Sequence, residues 1–82
     1  MIRLQDDSRN GFRLARVLVA VFTHALENGV EGVETITYLW QHGGTLHVYY
    51  TQPPSKPLKG LFAIAWAGEN ECSDAVEHEV ER

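Results

Sequence analysis

The chain has 82 residues, of which 44% are hydrophobic and 22% are charged, and this balance excludes an intrinsically disordered protein. Its length predicts a single small domain over residues 1–82, with a core so thin that pairing with a second copy is an expected way to bury more surface. The net charge of −4 disfavours binding to nucleic-acid phosphates, and the single cysteine, Cys72, excludes an intrachain disulfide.

The first predicted element is a helix from about Ser8 to Asn28. Asp7 or Ser8 can cap it by accepting hydrogen bonds from the free backbone N–H groups of its first turn. Gly29 can end it in the left-handed conformation. Apolar residues recur at helical spacing and predict one buried stripe, made of Leu14, Leu18, Val21, Phe22, Ala25 and Leu26.

A β-hairpin is predicted next, with strands from Glu34 to His42 and from Thr45 to Gln52. Both segments are rich in threonine, aromatic and β-branched residues, which favour strands. Gly43-Gly44 lies between them and suits a two-residue turn whose central residues need positive φ.

A two-residue turn also fixes the register, in which Tyr38 pairs with Tyr49 and Trp40 pairs with His47. One face of the hairpin then carries Ile36, Tyr38, Trp40, His42, His47 and Tyr49. The other face carries Thr35, Thr37, Leu39, Leu46, Val48 and Tyr50. Either face can be the buried one: helices on the leucine side leave the aromatic side open, whereas an aromatic core turns the two threonines toward water.

The segment after the hairpin contains a loop and an ambiguous apolar run. Residues 53–57 contain three prolines and are predicted to form the loop, because proline cannot donate to a strand ladder. From Leu58 to Ala67, the alternation of Phe62, Ile64 and Trp66 with smaller residues favours a third strand. The apolar residues of this run also fit helical spacing, so a helix is the alternative.

Ser73 to Glu81 is predicted to be a short terminal helix, capped by Ser73 and with Cys72, Val76 and Val80 on its inner side. The predicted fold is thus α+β with the order α-β-β-β-α, a three-stranded antiparallel sheet with the helices packed on one face. Double-stranded RNA-binding domains share this order, but the terminal helix is acidic and has the wrong charge for RNA.

The charges are unevenly distributed along the chain. Arg9, Arg13 and Arg16 lie in the first predicted helix, whereas most carboxylates follow Gly68. The acidic residues of this tail are Glu69, Glu71, Asp74, Glu77, Glu79 and Glu81. We expect the tail to fold back onto the arginines of the same chain, in preference to a nucleic-acid partner at the basic end.

No pattern in the sequence specifies a catalytic, metal or cofactor site. His42 and His47 share a hairpin face, but no third metal ligand is near them in the predicted sheet. Cys72 and His78 fall on different sides of the predicted helix, so they do not form a nucleophile and base. We therefore expect no enzymatic activity, no cofactor and no bound metal.

The aromatic hairpin face is the candidate site, and its predicted residues are Tyr38, Trp40, His42, His47 and Tyr49. Such residues anchor interfaces because they bury much area with few rotatable bonds. The favoured function is a non-catalytic module that binds itself, as a homodimer, or an unidentified protein. Small domains without a catalytic signature are frequent among accessory proteins of mobile elements and phages. The alternative is a small-molecule pocket, enclosed by a dimer of such sheets, with histidines as polar anchors and weak acid–base catalysis by one of them. The aromatic residues that would line this pocket are Tyr38, Trp40, Tyr49 and Trp66.

The sequence also predicts a cytoplasmic protein without a membrane or nucleic-acid partner. The N-terminal residues lack the apolar core of a signal peptide. The longest apolar runs, Val17 to Phe22 and Leu61 to Ala67, are far shorter than the roughly 20 residues that a membrane span needs.

Overall fold

The computed structural model describes residues 2–7, 14–65 and 74–80. Four strands form one sheet in the order β1-β2-β3-β4, and a helix connects the strands of each outer pair. The elements are β1 (Arg3–Asp6), α1 (Leu14–Glu27), a 3-10 turn (Val33–Thr35), β2 (Ile36–His42), β3 (Thr45–Tyr50), α2 (Leu58–Ala65) and β4 (Asp74–Glu79). β1 runs parallel to β2 and β4 runs parallel to β3, whereas β2 and β3 are antiparallel.

The predicted α+β class is confirmed, but the predicted α-β-β-β-α order and three-stranded antiparallel sheet are wrong. The sheet is mixed because helical connections bring consecutive strands side by side in parallel, whereas the tight turn between β2 and β3 makes that pair antiparallel. β1 escaped prediction because four residues with one apolar side chain, Leu4, carry no periodic signal.

The hairpin follows the prediction closely. Gly43 and Gly44 both have positive φ, as a primed two-residue turn requires. The predicted pairs are confirmed from Tyr38 to His42, and they include Tyr38 with Tyr49. The register shifts between Ile36 and Tyr38, which moves Ile36 off the aromatic face and into the core.

The strand predicted from Leu58 to Ala67 is instead helix α2, Leu58–Ala65. Leu58, Leu61 and Phe62 are buried at helical spacing, whereas Ile64 is 54% exposed. A helix places these three side chains together against the core, whereas the alternation of Phe62 and Ile64 with smaller residues had favoured a strand.

The terminal helix predicted from Ser73 to Glu81 is also wrong, because Asp74–Glu79 is strand β4. This strand pairs with β3, and Val76 lies beside His47. Pairing with a neighbouring strand satisfies the backbone groups of a segment whose own preference is weak. The predicted cap Ser73 and the predicted inner residue Cys72 lie outside the described residues.

The core lies between the two helices and one face of the sheet. From the sheet, Leu39, Leu46 and Val48 are fully buried. The helices contribute Leu14, Val17, Val21 and Ala25 from α1 and Leu58, Leu61 and Phe62 from α2. Both helices therefore cover the face of the sheet that carries the aliphatic residues.

Helix α1 buries most of its predicted stripe. Leu14, Val21 and Ala25 are buried, but Leu26 is 85% exposed and Val17 is buried in addition. The predicted start of this helix, residues 8–13, lies outside the described part of the chain. Neither described helix is long and apolar enough to cross a membrane.

A carboxylate from β4 caps the start of α2. The backbone N–H of Leu58 donates to Oε1 of Glu77 at 3.1 Å. The first N–H groups of a helix have no partner within it, and an acidic group there also suits the positive end of the helix dipole. Glu77 thereby joins β4 to the helix that precedes it in the chain.

Candidate interaction surface on the open face of the sheet

All five predicted site residues lie on the face of the sheet that the helices leave uncovered. Side chains alternate along a strand, so burial of Leu39, Leu46 and Val48 turns their neighbours the other way. Tyr38, Trp40, His47 and Tyr49 are half-buried there, and His42 is exposed. The alternative in which the aromatic face is the core is therefore wrong. We call this surface the open face.

Pairing of the four strands arranges the open face in three rows, which run across the sheet from β1 to β4. The first row contains Arg3, Tyr38, Tyr49 and His78. The second row contains Gln5, Trp40, His47 and Val76. The third row contains Asp7, His42, Thr45 and Asp74. Asp7 follows the last residue of β1 and extends its ladder, because its backbone N–H donates to the Gln41 carbonyl at 2.8 Å.

The first row is a continuous stack. The ring centroids of Tyr38 and Tyr49 are 5.2 Å apart, and those of Tyr49 and His78 are 4.3 Å apart. The guanidinium of Arg3 lies 4.8 Å from the Tyr38 centroid, which is a cation–π contact. These spacings resemble the roughly 4.8 Å between neighbouring strands. The rings therefore turn their faces toward one another and leave their edges toward solvent.

The second row continues the stacking around Trp40. Its ring lies 4.9 Å from His47 and also 4.9 Å from His42, in both cases close to parallel. His47 in turn lies 5.3 Å from His78 of the first row. The stacked rings thus link all three rows.

Strand β1 and the residue after it hold the polar atoms of Tyr38 and Trp40 by hydrogen bonds. The Tyr38 hydroxyl donates to Oε1 of Gln5 at 2.6 Å, and Nε1 of Trp40 donates to Oδ2 of Asp7 at 2.6 Å. The Gln5 amide also donates to Asp7 at 3.1 Å. The hydroxyl of Tyr38 and the indole N–H of Trp40 therefore already have hydrogen-bond partners within the chain.

Asp7 is the acidic centre of this arrangement. Hydrogen bonding from the Trp40 indole lowers the pKa of the Asp7 carboxyl by more than burial raises it, and Gln5 and His42 lower it further. Nδ1 of His42 lies 3.6 Å from the carboxylate. Sequence reasoning assigned Asp7 to a helix cap and missed this role, because nothing in the sequence pairs residue 7 with residue 40.

His47 and His78 form a hydrogen-bonded pair. Nδ1 of His47 and Nε2 of His78 are 3.0 Å apart, so one ring donates and the other accepts. Burial lowers the pKa of His47, and the neighbouring His78 and His42 lower it further. Full protonation of both rings would remove the acceptor and place two positive charges side by side.

From this pair of histidines we expect the protein to lose stability in mild acid. A histidine whose pKa is lower in the folded than in the unfolded state binds fewer protons when folded. The contribution of His47 to the free energy of unfolding is complete above the pKa of about 6.5 of an unfolded histidine, and it decreases as the pH falls below that value. Urea unfolding at pH 8, 7, 6 and 5 should therefore show a falling free energy of unfolding.

Two variants test whether His47 causes this pH dependence of stability. His47→Gln should flatten the slope between pH 8 and pH 5, because the group with the lowered pKa is gone. His24→Gln is the matched control, since His24 lies on α1, away from the open face and from the His47–His78 pair, and this variant should flatten the slope less than His47→Gln. An equal slope in wild type and His47→Gln would contradict the assignment.

The described residues contain no group of three His, Cys, Asp or Glu side chains that could hold a metal ion. His42 and His47, the closest candidates in the sequence, both stack on Trp40. These imidazoles also take part in other contacts, His42 with Asp7 and His47 with His78.

The arginines of the first helix were expected to contact the acidic tail, and Arg16 is the one of them that the structure describes. Arg16 is exposed on α1, on the far side of the sheet, so it cannot form a rim around the open face. Arg3 of β1 supplies the positive charge there. Asp74 of the acidic segment contacts Lys59 of α2 at 3.4 Å, and Arg9 and Arg13 lie outside the described residues.

A separate groove of about 620 Å³ lies next to the end of α1. Its lining is mainly apolar and consists of Phe22, Ala25, Leu26, Val30, Val33, Glu31 and Glu34. Sequence reasoning missed it because Leu26 was placed in the buried stripe. The groove shares no residue with the open face.

The chemistry of the open face has to be derived from its own side chains. No protein-family model matches the sequence, and no curated protein or solved structure is significantly similar to the chain.

Proposed function

We propose that this protein is a non-catalytic interaction module whose open face binds a second copy of the chain. The observation that carries the proposal is the set of hydrogen bonds from Tyr38 and Trp40 to β1. Burying an unsatisfied polar group costs about 1–3 kcal/mol, and these two groups already have partners. The large rings can therefore be covered without that cost.

Stacking within the face lowers a second cost of association. Immobilising a side chain at an interface costs about 0.5–1.5 kcal/mol, and side chains that are already held in place lose less. Tyr38, Tyr49 and His78 hold one another in the first row, and Trp40 and His47 do so in the second. The open face is thus organised before it binds.

The distribution of polarity also resembles that of an interface. Aromatic rings occupy the middle of the face, and charged side chains, Arg3, Asp7 and Asp74, occupy its margins. Specific interfaces commonly have an apolar, aromatic centre and a polar rim. A face of this kind suits reversible burial by another protein surface.

The size of the face predicts a weak dimer. Four strands at about 4.8 Å and six residues at about 3.3 Å give a footprint of about 20 by 20 Å. Two such faces bury an area at the low end of specific interfaces, where associations are weak and transient. We expect a dissociation constant in the micromolar range or above.

The arrangement of the rings on the open face disfavours the stacking of nucleobases on it. Single-stranded nucleic acids stack on exposed ring faces and need a positively charged groove. In the open face the rings stack on each other, and the chain carries a net charge of −4.

Binding of a small molecule is the second candidate function, and the groove beside α1 favours it. Its volume of about 620 Å³ lies within the range of ligand sites. Glu31 and Glu34 at its rim would suit an apolar ligand with a cationic end. The predicted pocket of stacked aromatic residues is less suitable, since those rings fill the space between themselves, and Trp66 lies outside the described residues.

Light scattering coupled to size-exclusion chromatography tests the proposed self-association. The 9.2 kDa chain should approach twice its mass as the loading concentration rises. Trp40→Ala with Tyr49→Ala should stay monomeric at the same concentrations, because the centre of the face is lost. Circular dichroism checks that this variant is folded.

Val19→Ala with Leu26→Ala is the matched control. These residues are 66% and 85% exposed on α1, so the change also removes exposed apolar surface, but on the other side of the sheet. The control should dimerise like the wild type. A wild-type monomer at every concentration, or a control that dissociates equally, would contradict the proposal.

A further inference from the structure

We infer that the two open faces meet about a two-fold axis that runs perpendicular to the strands, with β1 of one copy antiparallel over β1 of the other. The inference rests on the proposed self-association and specifies its geometry. What supports it is the placement of charge at the two ends of β1. Arg3 lies at one end of this strand and Asp7 just beyond the other end, and both belong to the open face.

A face-to-face pair of identical sheets can be related in two simple ways. A two-fold axis perpendicular to the strands exchanges the first row with the third and lets the second row face itself. A two-fold axis parallel to the strands keeps the rows and exchanges β1 with β4. Sheets stack with their strand directions within about 30° of each other, so the row pairing survives the usual twist.

Opposite charges meet in the perpendicular arrangement. Arg3 of each copy faces Asp7 of the other, which gives two symmetric ion pairs because the interface is self-complementary. At the opposite margin, His78 of each copy faces Asp74 of the other. The ring of Trp40 lies in the second row, near the axis, where it meets Trp40 of the second copy.

Like charges meet in the parallel arrangement. Asp7 would face Asp74 of the second copy, and Arg3 would face the His78 ring in place of a carboxylate. Lys59 lies 3.4 Å from Asp74 and offsets part of that repulsion, so the contrast at Arg3 and Asp7 carries the selection between the two arrangements. Like-charge juxtaposition at an interface is strongly unfavourable.

Charge reversal at β1 tests this geometry. Arg3→Asp alone places aspartate against Asp7 at both ends of the dimer, and Asp7→Arg alone places arginine against Arg3. Each variant should raise the dissociation constant at least tenfold in sedimentation equilibrium. An equimolar mixture of the two variants pairs opposite charges again and should return close to the wild-type value. The double variant Arg3→Asp with Asp7→Arg should do the same.

The parallel arrangement gives a different result, because β1 then faces β4: Asp7→Arg would meet Asp74 of the second copy, so this variant should dimerise at least as well as the wild type. Single variants that dimerise like the wild type, or a mixture that stays monomeric, would overturn the inferred geometry and leave the self-association standing. A wild-type monomer would instead overturn the self-association itself. Circular dichroism and the melting temperature show that each variant is folded, since Asp7→Arg also removes the acceptor of Trp40.

A cross-link provides a second measurement that leaves Asp7 intact. Val76 lies in the second row on β4, which faces itself only when the axis is perpendicular to the strands. Val76→Cys with Cys72→Ser, treated with a bismaleimide that spans about 10 Å between stacked sheets, should give a covalent dimer. In the parallel arrangement Val76 faces Gln5, roughly 14 Å of sheet away from the other Val76, and the covalent dimer should not form. Absence of the cross-link in a protein that still dimerises would overturn the geometry.

Discussion

Replacing Phe62 with alanine should lower the free energy of unfolding by about 3–5 kcal/mol. Phe62 is the largest fully buried side chain among the described residues, and it fills the core from α2. The loss combines the transfer of the ring to water with the cavity that remains. A chain of this size has a total stability of only about 4–12 kcal/mol, so the variant should be partly unfolded at room temperature in low urea.

Ile64→Ala is the matched control. Together the two variants test whether residues 58–65 form a helix or a strand. Phe62 and Ile64 would lie on the same face of a strand, but helix α2 buries the first and leaves the second 54% exposed. The Ile64 variant should therefore lose less than about 1 kcal/mol. Urea unfolding followed by circular dichroism measures both. Equal losses would contradict the helix.

Replacing Gly32 with alanine should destabilise the protein by about 2–5 kcal/mol, which combines backbone strain with overpacking. Gly32 has φ of 97°, a conformation that residues with a side chain rarely adopt. An added Cβ would lie 2.7 Å from Cα of Pro54 and 3.3 Å from the carbonyl oxygen of Pro53. The obstacle is backbone, so it cannot rotate away.

The close approach at Gly32 lets the proline loop pack beside the start of β2. Hydrogen bonds hold the contact: the Ser55 N–H donates to the Glu31 carbonyl, and the Glu31 N–H donates to the Ser55 hydroxyl. Gly29→Ala is the matched control, because Gly29 also has positive φ but no atom lies within 4 Å of the added Cβ. It should cost about 1–2 kcal/mol from strain alone. A Gly32 variant as stable as this control would contradict the steric argument.

The sequence predicts the β2–β3 hairpin well because its determinants are local. Two adjacent glycines set the turn, and the turn sets the register, so Tyr38 and Tyr49 are correctly paired without knowledge of the rest of the chain. The bulge that buries Ile36 lies at the far end of the strand, where the turn no longer controls the register.

The other elements depend on partners distant in sequence. β1 and β4 are polar segments that become strands because β2 and β3 offer them edges to pair with. β4 keeps the spacing of an amphipathic helix, since Val76 and Val80 are four residues apart. Periodicity cannot settle such segments when tertiary pairing determines their structure.

The residues of the candidate site were likewise predicted where local sequence positions them and missed where pairing with distant strands does. Its five predicted residues come from the hairpin, and the structure places all five on the open face. The residues that organise the face, Gln5, Asp7 and His78, come from the parallel outer strands and were missed. Alternation of Arg3, Gln5 and Asp7 with Leu4 and Asp6 was the available signal, and it is too short to separate from chance.

The strand order also determines which backbone edges of the sheet are open to a further strand. The two edges of the sheet are β1, with four residues, and β4, with the sequence Asp-Ala-Val-Glu-His-Glu. Short and charged edges are poor templates for the addition of further strands, which is the route to fibrils. The proposed pairing through the open face would cover the aromatic surface of both copies and leave no equivalent surface for a third. An aromatic patch that would otherwise be an aggregation hazard can thus remain on a small protein at high concentration.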